Sequence, residues 1–498
     1  MMKKTLGELA ALIPGAKLTG KAETEITSIE HDSRKVEKDA LFACVVGATV
    51  DGHNYIPQVQ EKGAAALLTE REDLQVPAGM AVLVVPKMHE ALEKIVPYFY
   101  DYPAQKMRVI GITGTSGKTT TSYLTRAILR QAGYKVGLIG TIRIMIEEEV
   151  LPVHNTTPDV VDLQQTLYKM QQKGMDYVVM EVSSHALAQN RVTGCEFDTA
   201  IFTNLSQDHL DYHKTLENYR EAKALLFAHL SDGDNKKKNK TAVVNVDDAA
   251  GKAMLAKADC RQLTYGIEKK ASLQASAIEV KPLGTKCTIN TEAGSLELNL
   301  QVTGIFNVYN VMAAAGAAMA EGISLADIKA ALENFQSVPG RFELVRAGQD
   351  FAVIVDYAHK PDALENILQT ARKFAKKRII TVFGCGGDRD KTKRPIMGRI
   401  AAELSDYVIA TSDNPRSEKP EAILEQVEEG VKAAVGNKPY EKIVDRREAI
   451  FRAVEIAEAE DIVVIAGKGH EDYQILSDRT IHFDDREVAR EAIGRKLQ

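Results

Sequence analysis

Nothing in this chain of 498 residues looks like a disulfide or zinc framework. Its five cysteines, Cys44, Cys195, Cys260, Cys287 and Cys385, are odd in number and far apart, with no Cys-x-x-Cys pair, so they read as reduced thiols. Basic charge is not in excess. Acidic residues outnumber basic ones by 69 to 63, a formal charge of −6, which argues against a nucleic acid held by bulk charge. No run of about 18 apolar residues occurs, so no membrane span is expected. The chain begins Met-Met-Lys-Lys and a short apolar stretch, but Glu8 interrupts it, Pro14 ends it and no small-residue cleavage site follows. An amphipathic first helix and a cytoplasmic location are expected. Repeats and low-complexity segments are missing too.

What is present is the composition of a globular protein, 45% apolar and 27% charged, long enough for about three domains. From Gly15 to Pro103, short β-rich runs such as Ala40–Val46 and Ala81–Pro86 alternate with helical patterns. Tyr100–Gln105, carrying Pro103, reads as a linker. Buried-strand candidates then recur at Met107–Thr113, Lys135–Ile139, Tyr177–Val182, Thr199–Thr203 and Thr241–Asn245, several with helices between them, which implies a largely parallel sheet. Ser272–Val302 alternates in antiparallel fashion, and Gly304–Ala320 is apolar almost all round, a helix packed on several sides. A second boundary lies near Val338-Pro339-Gly340. Beyond it, Ala352–Asp356, Arg378–Phe383, Tyr407–Thr411 and Asp461–Ile465 alternate with helices again. Domains are expected over 1–105, 106–338 and 339–498 of an α/β protein. Lys236–Lys240 reads as a solvated loop.

Between a strand and a helix lies Thr113-Gly114-Thr115-Ser116-Gly117-Lys118-Thr119-Thr120. Glycines there let backbone N–H groups curl around an anion, and the helix N-terminus adds partial positive charge. Lys118 suits outer phosphates and Thr119 a phosphate-bound Mg²⁺. Along the helix predicted over Thr215–Leu230, the residues Leu216, Tyr219, Lys223, Leu226 and Leu230 form an apolar stripe with a lysine in its middle. Pattern alone leaves two readings open. The lysine stem packs while its amine reaches water, or desolvation favours a neutral amine able to take up carbon dioxide. Glu181, at a strand's C-terminal end, reads alone as a surface glutamate, and His209 alone as structural.

The usual phosphate loop has its first glycine where this chain has Ile112. The Gly114-x-x-Gly117-Lys118-Thr119 spacing instead resembles the shorter loop of the Mur ligase family, and the family's pattern continues in order along nearly the whole chain. The resemblance implies a three-domain architecture: an N-terminal uridine-nucleotide domain, a central phosphate-loop ATPase domain with a mostly parallel sheet, and a C-terminal Rossmann-like α/β domain. It implies Mg²⁺ held by Glu181, His209 and Thr119, and Lys223 carbamylated to N6-carboxylysine as a further ligand. Asn307, Asn310, Arg341 and Asp356 match family residues that complete the ATP site with Gly114 to Thr120; by pattern alone they read as caps or a surface charge.

The donor would be UDP-muramoyl-dipeptide. Ser33, in Asp32-Ser33-Arg34, resembles the uridine-nucleotide contact, and Asn155-Thr156-Thr157-Pro158-Asp159 the muramoyl-dipeptide loop, with Ser183, Gln189 and Arg191. Asp413-Asn414-Pro415-Arg416 reads alone as an Asx-Pro turn. In the family it marks the branch whose acceptor is meso-diaminopimelate, where a guanidinium can grip the distal carboxylate that lysine lacks. Arg389, Gly467 and Glu471 match the other acceptor contacts. The resemblance thus implies an ATP-driven amide ligase of peptidoglycan precursor synthesis, expected as a monomer acting on small molecules. The alternatives are a lysine-adding relative and a phosphate-loop ATPase that is no ligase.

Overall fold

Strands such as Val-Val-Met-Glu at 178–181 and Ile-Ile-Thr-Val-Phe at 379–383 are apolar on both faces, and both lie fully buried in parallel sheets covered by helices. The computed structural model describes residues 2–47, 50–74, 79–153, 155–233, 235–281 and 284–498. The chain divides into two units, Met1–Leu273 with Ala313–Ser324, and Gln274–Met312 with Leu325–Gln498. The fold is α/β, as expected, and no helix among the described residues is long and apolar enough to cross a membrane.

In the first unit, Ser28–Glu30, Ala40–Ala43, Ala66–Thr69 and Ala81–Val84 pair in parallel, with Lys17–Thr19 antiparallel at the edge. A larger sheet places Arg108–Thr113 between Tyr177–Glu181 and Thr199–Phe202, all parallel. Val136–Ile139 lies beyond Tyr177–Glu181, and Thr241–Asn245 with Arg261–Gly266 beyond Thr199–Phe202. This order brings the end of the phosphate-loop strand beside Glu181 on one side and Thr203 on the other. In the second unit, Gly284–Thr291 and Gly294–Leu300 form an antiparallel pair. A separate sheet runs Glu343–Leu344, Ala352–Asp356, Ile462–Ala466, Ile379–Phe383, Tyr407–Ala410, Tyr440–Lys442, parallel except for the first.

Local chemistry explains several boundaries. The first helix, Leu6–Ala11, starts at Thr5, whose side chain accepts from Glu8 N at 3.2 Å while Glu8 accepts from Thr5 N at 2.6 Å. The glutamate that breaks the apolar N-terminal stretch is therefore half of a capping box. Lys236–Lys240 is a loop, but not merely a solvated one. Lys237 Nζ donates to buried Asp198 at 3.1 Å, and Asp198 also pairs with Arg108 at 3.1 Å. Arg108 in turn meets Glu321, which accepts from Thr199 Oγ1 at 2.7 Å. Removing one member of such a network leaves a buried charge unpaired, at a cost of about 3–5 kcal/mol.

Glu30 is buried at the end of its strand, where Gln165 Nε2 donates to it at 3.0 Å. Burial pushes its carboxyl up from 4.5 to about 7, against the opposing pull of Gln165, Lys35 and His31 and with the help of Asp162. Because the folded value lies above the unfolded one, the proton favours the folded state. Stability is unaffected below the unfolded value, falls as pH rises between the two, and carries the whole cost, roughly 3 kcal/mol, above them. Glu30→Gln should therefore raise the urea midpoint at pH 8 and leave it nearly unchanged near pH 4.5. An equal shift at both would show that ionisation of Glu30 is not the cause.

Candidate functional site

The phosphate loop leaves its strand at Thr113 and enters the helix Lys118–Gln131, with Gly117 as the cap residue at φ 85°. Gly114 has φ 150°, and a Cβ there would lie 1.8 Å from Thr203 Oγ1, so no other residue fits. Asn204 holds Ser116 from both sides, accepting from its N–H at 2.9 Å and donating to its carbonyl at 3.0 Å. Lys118 Nζ donates to the Gly114 and Thr115 carbonyls at 2.9 Å each, which keeps its charge at the helix N-terminus.

Glu181 is fully buried at the end of its strand. Thr119 Oγ1 donates to its Oε2 at 3.0 Å, Thr141 Oγ1 to the same oxygen at 3.0 Å, and Thr141 N to Oε1 at 3.0 Å. Gly140 makes room for it, since a Cβ there would lie 2.3 Å from Oε1.

The helix Leu216–Ser231 carries Lys223 almost wholly out of water, at 1% exposure, with Tyr219, Leu226 and Leu230 buried beside it. Leu216 does not belong to that stripe; it is 46% exposed, in the first turn of the helix. Lys223 Nζ donates to the Gly114 carbonyl at 2.8 Å and sits 4.2 Å from the centre of the Tyr219 ring, with no carboxylate in ion-pair range among the described residues. Burial, with the Lys118 charge next, drives its pKa well below the usual 10.5. The amine reading of the stripe is thus the one the packing favours. His209, at φ 54°, stands edge-on to Tyr219 with ring centres 6.0 Å apart, and burial lowers its pKa against the opposing Asp208 charge. Lys118, Thr119, Glu181, His209 and Lys223 therefore surround one loop.

The donor candidates gather on the same unit. Thr157 Oγ1 donates to the Glu181 carbonyl at 2.9 Å and accepts from Ser183 N at 3.0 Å. Ser183 caps the short helix Ser184–Ala188. Arg191 donates to Gln189 at 2.8 Å and reaches the Thr157 carbonyl at 3.4 Å, while Thr156 meets Thr141 at 3.0 Å. Asn155, Gln189 and Arg191 line a cavity of ≈ 760 Å³ together with His31, Lys87 and His89. Ser33 is buried and does not line it. Its carbonyl accepts from Lys62 Nζ at 2.9 Å, and Asp32, its carboxyl lowered to about 2 by the Arg34 side chain, pairs with Arg34 at 2.7 Å.

In the second unit, loops after three successive parallel strands carry the acceptor candidates. Gly386–Arg389 follows Ile379–Phe383, Asp413–Arg416 follows Tyr407–Ala410, and Gly467–Glu471 follows Ile462–Ala466. Open sheets present ligands at such strand ends. Arg416 Nη1 donates to the Gly387 carbonyl at 2.9 Å, and a Cβ on Gly387 would lie 1.9 Å from the Pro415 carbonyl, so these two loops press together. Asn414 Nδ2 donates to Glu471 at 2.9 Å. Arg389 is exposed and donates to the neighbouring Asp388 carbonyl at 3.0 Å.

Asn307 and Asn310 are buried and bonded to each other at 3.1 Å, and Asn307 also donates to the Thr303 carbonyl at 2.8 Å. Asp356 is the last residue of its strand, not a helix cap. It accepts from Phe342 N at 2.7 Å, and burial raises its carboxyl against the opposing Arg341 charge. Arg341 lies over the Tyr357 ring at 5.4 Å.

Residues 112–318 match the family model described as Mur ligase middle domain, residues 340–469 that of the Mur ligase, glutamate ligase domain, and residues 25–100 that of the Mur ligase family, catalytic domain. The UDP-N-acetylmuramoyl-L-alanyl-D-glutamate–2,6-diaminopimelate ligase of Bacillus cereus is 49% identical over 478 residues, 96% of either chain. The chain belongs to the Mur ligase family. The like-named protein of Bacillus licheniformis is 50% identical over 474 residues, covering 95% of this chain and 96% of its own. A solved structure of a ligase with that name superposes over 100% of both chains, at TM-score 0.72 and 33% identity. MurF ligase from Thermotoga maritima in complex with ADP, 19% identical and covering 94% and 96%, shares the fold at TM-score 0.62.

Some residues of this Mur ligase that shape the site gave no signal in the sequence. Thr141 fixes both oxygens of Glu181 from 40 residues away. Asn204, which holds Ser116, carries no pattern of its own, and Tyr219 reads only as part of an apolar stripe, although its hydroxyl meets Thr115 Oγ1 at 3.2 Å. Fully buried Arg446 holds Asp485 at 2.7 Å and donates to the Ala466 carbonyl at 3.1 Å, and so ties down the strand end that precedes Gly467. A charged residue every few positions in that stretch masks its burial.

Proposed function

We propose that this chain uses ATP to join the D-glutamate carboxylate of UDP-N-acetylmuramoyl-L-alanyl-D-glutamate to an amino group of meso-2,6-diaminopimelate, with release of ADP and phosphate. The observation that carries this reading is the acceptor half-site, where an arginine, an amide and a carboxylate (Arg416, Asn414 and Glu471) meet on adjoining loops. Diaminopimelate has both a carboxylate and an ammonium at its distal centre. A guanidinium binds the first with two parallel hydrogen bonds, and Glu471 accepts from the second.

In the first step the terminal phosphoryl group passes to the donor carboxylate: its bond to ADP breaks as a bond to a carboxylate oxygen forms, giving an acyl phosphate. The acceptor amine then attacks the acyl carbon, the bond to phosphate breaks, and the amine nitrogen gives up a proton. Lys118 and the loop N–H groups offset charge on the phosphoryl oxygens. Thr157, Ser183, Gln189 and Arg191 hold the donor, with Asn155 and Thr156, and Ser33 serves its uridine end. Asn307, Asn310, Arg341 and Asp356 serve the nucleotide. Alignment of the neutral amine supplies much of the acceleration.

The hydroxyl of Thr119 and the carboxylate of Glu181 are oxygen ligands of the kind Mg²⁺ prefers, and the ring nitrogen of His209 would add to them. An ammonium at Lys223 does not fit beside a cation. Carbamylation resolves this: the neutral amine bonds to carbon dioxide and loses a proton, which leaves an anion that adds to the donor set. Bound Mg²⁺ would supply charge neutralisation at the phosphates. Electron density at Lys223, from crystals grown with bicarbonate, should show a planar three-atom extension beyond Nζ; a bare amine would refute the modification. The same reading assigns the enzyme to the cytoplasm and to peptidoglycan synthesis, as a monomer.

The test is phosphate release with UDP-muramoyl-dipeptide, ATP and either diaminopimelate or L-lysine. Turnover should require the amino acid and strongly favour diaminopimelate. Equal rates or a preference for lysine would make this the lysine-adding enzyme, and turnover indifferent to amino acid would make it an ATPase.

A further inference from the structure

Lys468 stands between two acceptor candidates, Gly467 and Glu471, and its side chain is fully buried. A buried ammonium is costly unless its donors are used. Its Nζ donates to Asn414 Oδ1 at 3.0 Å and to Glu471 Oε2 at 3.2 Å, and Asp413 Oδ1 lies 3.9 Å away. Asn414 Oδ1 also accepts from Ile475 N at 2.9 Å, while Asn414 Nδ2 donates to Glu471 Oε2 at 2.9 Å. An amide oxygen has two lone pairs and an amide nitrogen two N–H bonds. The Asn414 oxygen is therefore full, and only one of its N–H bonds remains. Glu471 Oε2 takes two donors, which leaves Oε1 as the accepting oxygen.

We propose that Lys468 is a specificity-determining positioning residue: by holding the Asn414 oxygen and one Glu471 oxygen, it obliges the acceptor site to present one N–H from Asn414 and one oxygen from Glu471. That pattern complements a distal carboxylate beside an ammonium. The inference rests on the reading that diaminopimelate is the acceptor. Without Lys468, the Asn414 amide keeps its bonds to Ile475 N–H and Glu471 Oε2 but loses the cation that fixes both, and its oxygen is freer to turn toward the ligand. An oxygen facing a carboxylate repels it, whereas lysine has no carboxylate there to repel. The loss falls on diaminopimelate alone, and that separates this role from general support of the fold.

The experiment compares wild-type enzyme with Lys468→Met, which keeps length but has no donor, and Lys468→Arg, which keeps donors and charge. KM and kcat are measured for diaminopimelate and for lysine, and KM for ATP and for UDP-muramoyl-dipeptide. Lys468→Met should raise KM for diaminopimelate about 10- to 100-fold and lower the diaminopimelate-to-lysine preference by a similar factor. The ATP and donor KM values should stay within about twofold of wild type, and Lys468→Arg should recover part of the loss. If the methionine variant does not fold, Lys468→Gln is held to the same criteria. An unchanged preference, or a fall in kcat shared by both amino acids, overturns the proposal. Wild-type enzyme without preference for diaminopimelate overturns the acceptor reading itself, a result seen before any variant is made.

Discussion

Lys118→Met is expected to lower kcat by about a thousandfold, with little change in KM for the amino acid. The lysine is already in place: its two bonds to the Gly114 and Thr115 carbonyls, each 2.9 Å, keep Nζ beside the helix N-terminus, the proposed seat of the phosphate oxygens. Charge gathers there as the phosphoryl group transfers, and a methionine of similar length offers nothing to meet it. The same substitution removes two internal loop bonds, so the melting temperature must be measured alongside. Single-turnover formation of acyl phosphate, trapped with hydroxylamine, isolates the step concerned. A kcat within tenfold of wild type, in a folded variant, would mean that the loop amides carry the phosphate without the lysine.

Arg416→Ala should act on the other substrate. We expect kcat/KM for diaminopimelate to fall by about 10³- to 10⁴-fold, while the poor rate with lysine hardly changes. One guanidinium nitrogen is committed to the Gly387 carbonyl at 2.9 Å, which fixes the plane of the group and leaves other donors for a carboxylate. Arg416 is held at φ 52°, a backbone strain of roughly 1–2 kcal/mol that arginine and alanine bear alike, so Arg416→Ala tests the guanidinium and not the turn. Arg416→Lys, which keeps the positive charge, should remain poor because a point charge cannot make two parallel bonds. An unchanged KM for diaminopimelate would remove Arg416 from the acceptor site.

How much of this could be read from the sequence depends on how local each signal is. The phosphate loop was legible because strand, glycines, lysine and helix are contiguous, and Lys223 because helical spacing alone sets it among apolar neighbours. The turn of the stripe at Leu216 failed, since periodicity cannot tell where a helix emerges into solvent. Lys237 was misread as solvated because its partner Asp198 lies 39 residues back, just before the strand Thr199–Phe202. Lys468 went unread for a related reason. Its meaning depends on Asn414, 54 residues away, which reaches it only when parallel strands bring their ends to one edge of a sheet. Side chains that touch ligands sit in short motifs, whereas those that orient them are scattered by the topology.

Thr157 has a practical consequence for anyone wishing to change the donor. One hydroxyl, bonded to the Glu181 carbonyl at 2.9 Å and the Ser183 amide at 3.0 Å, stitches the segment 155–159 to the strand that bears Glu181. The segment is therefore not a cassette. A graft from a relative with another sugar-peptide would have to bring its own counterpart of Thr157, in register with the recipient strand, or it would shift the buried Glu181 carboxylate, the proposed magnesium ligand.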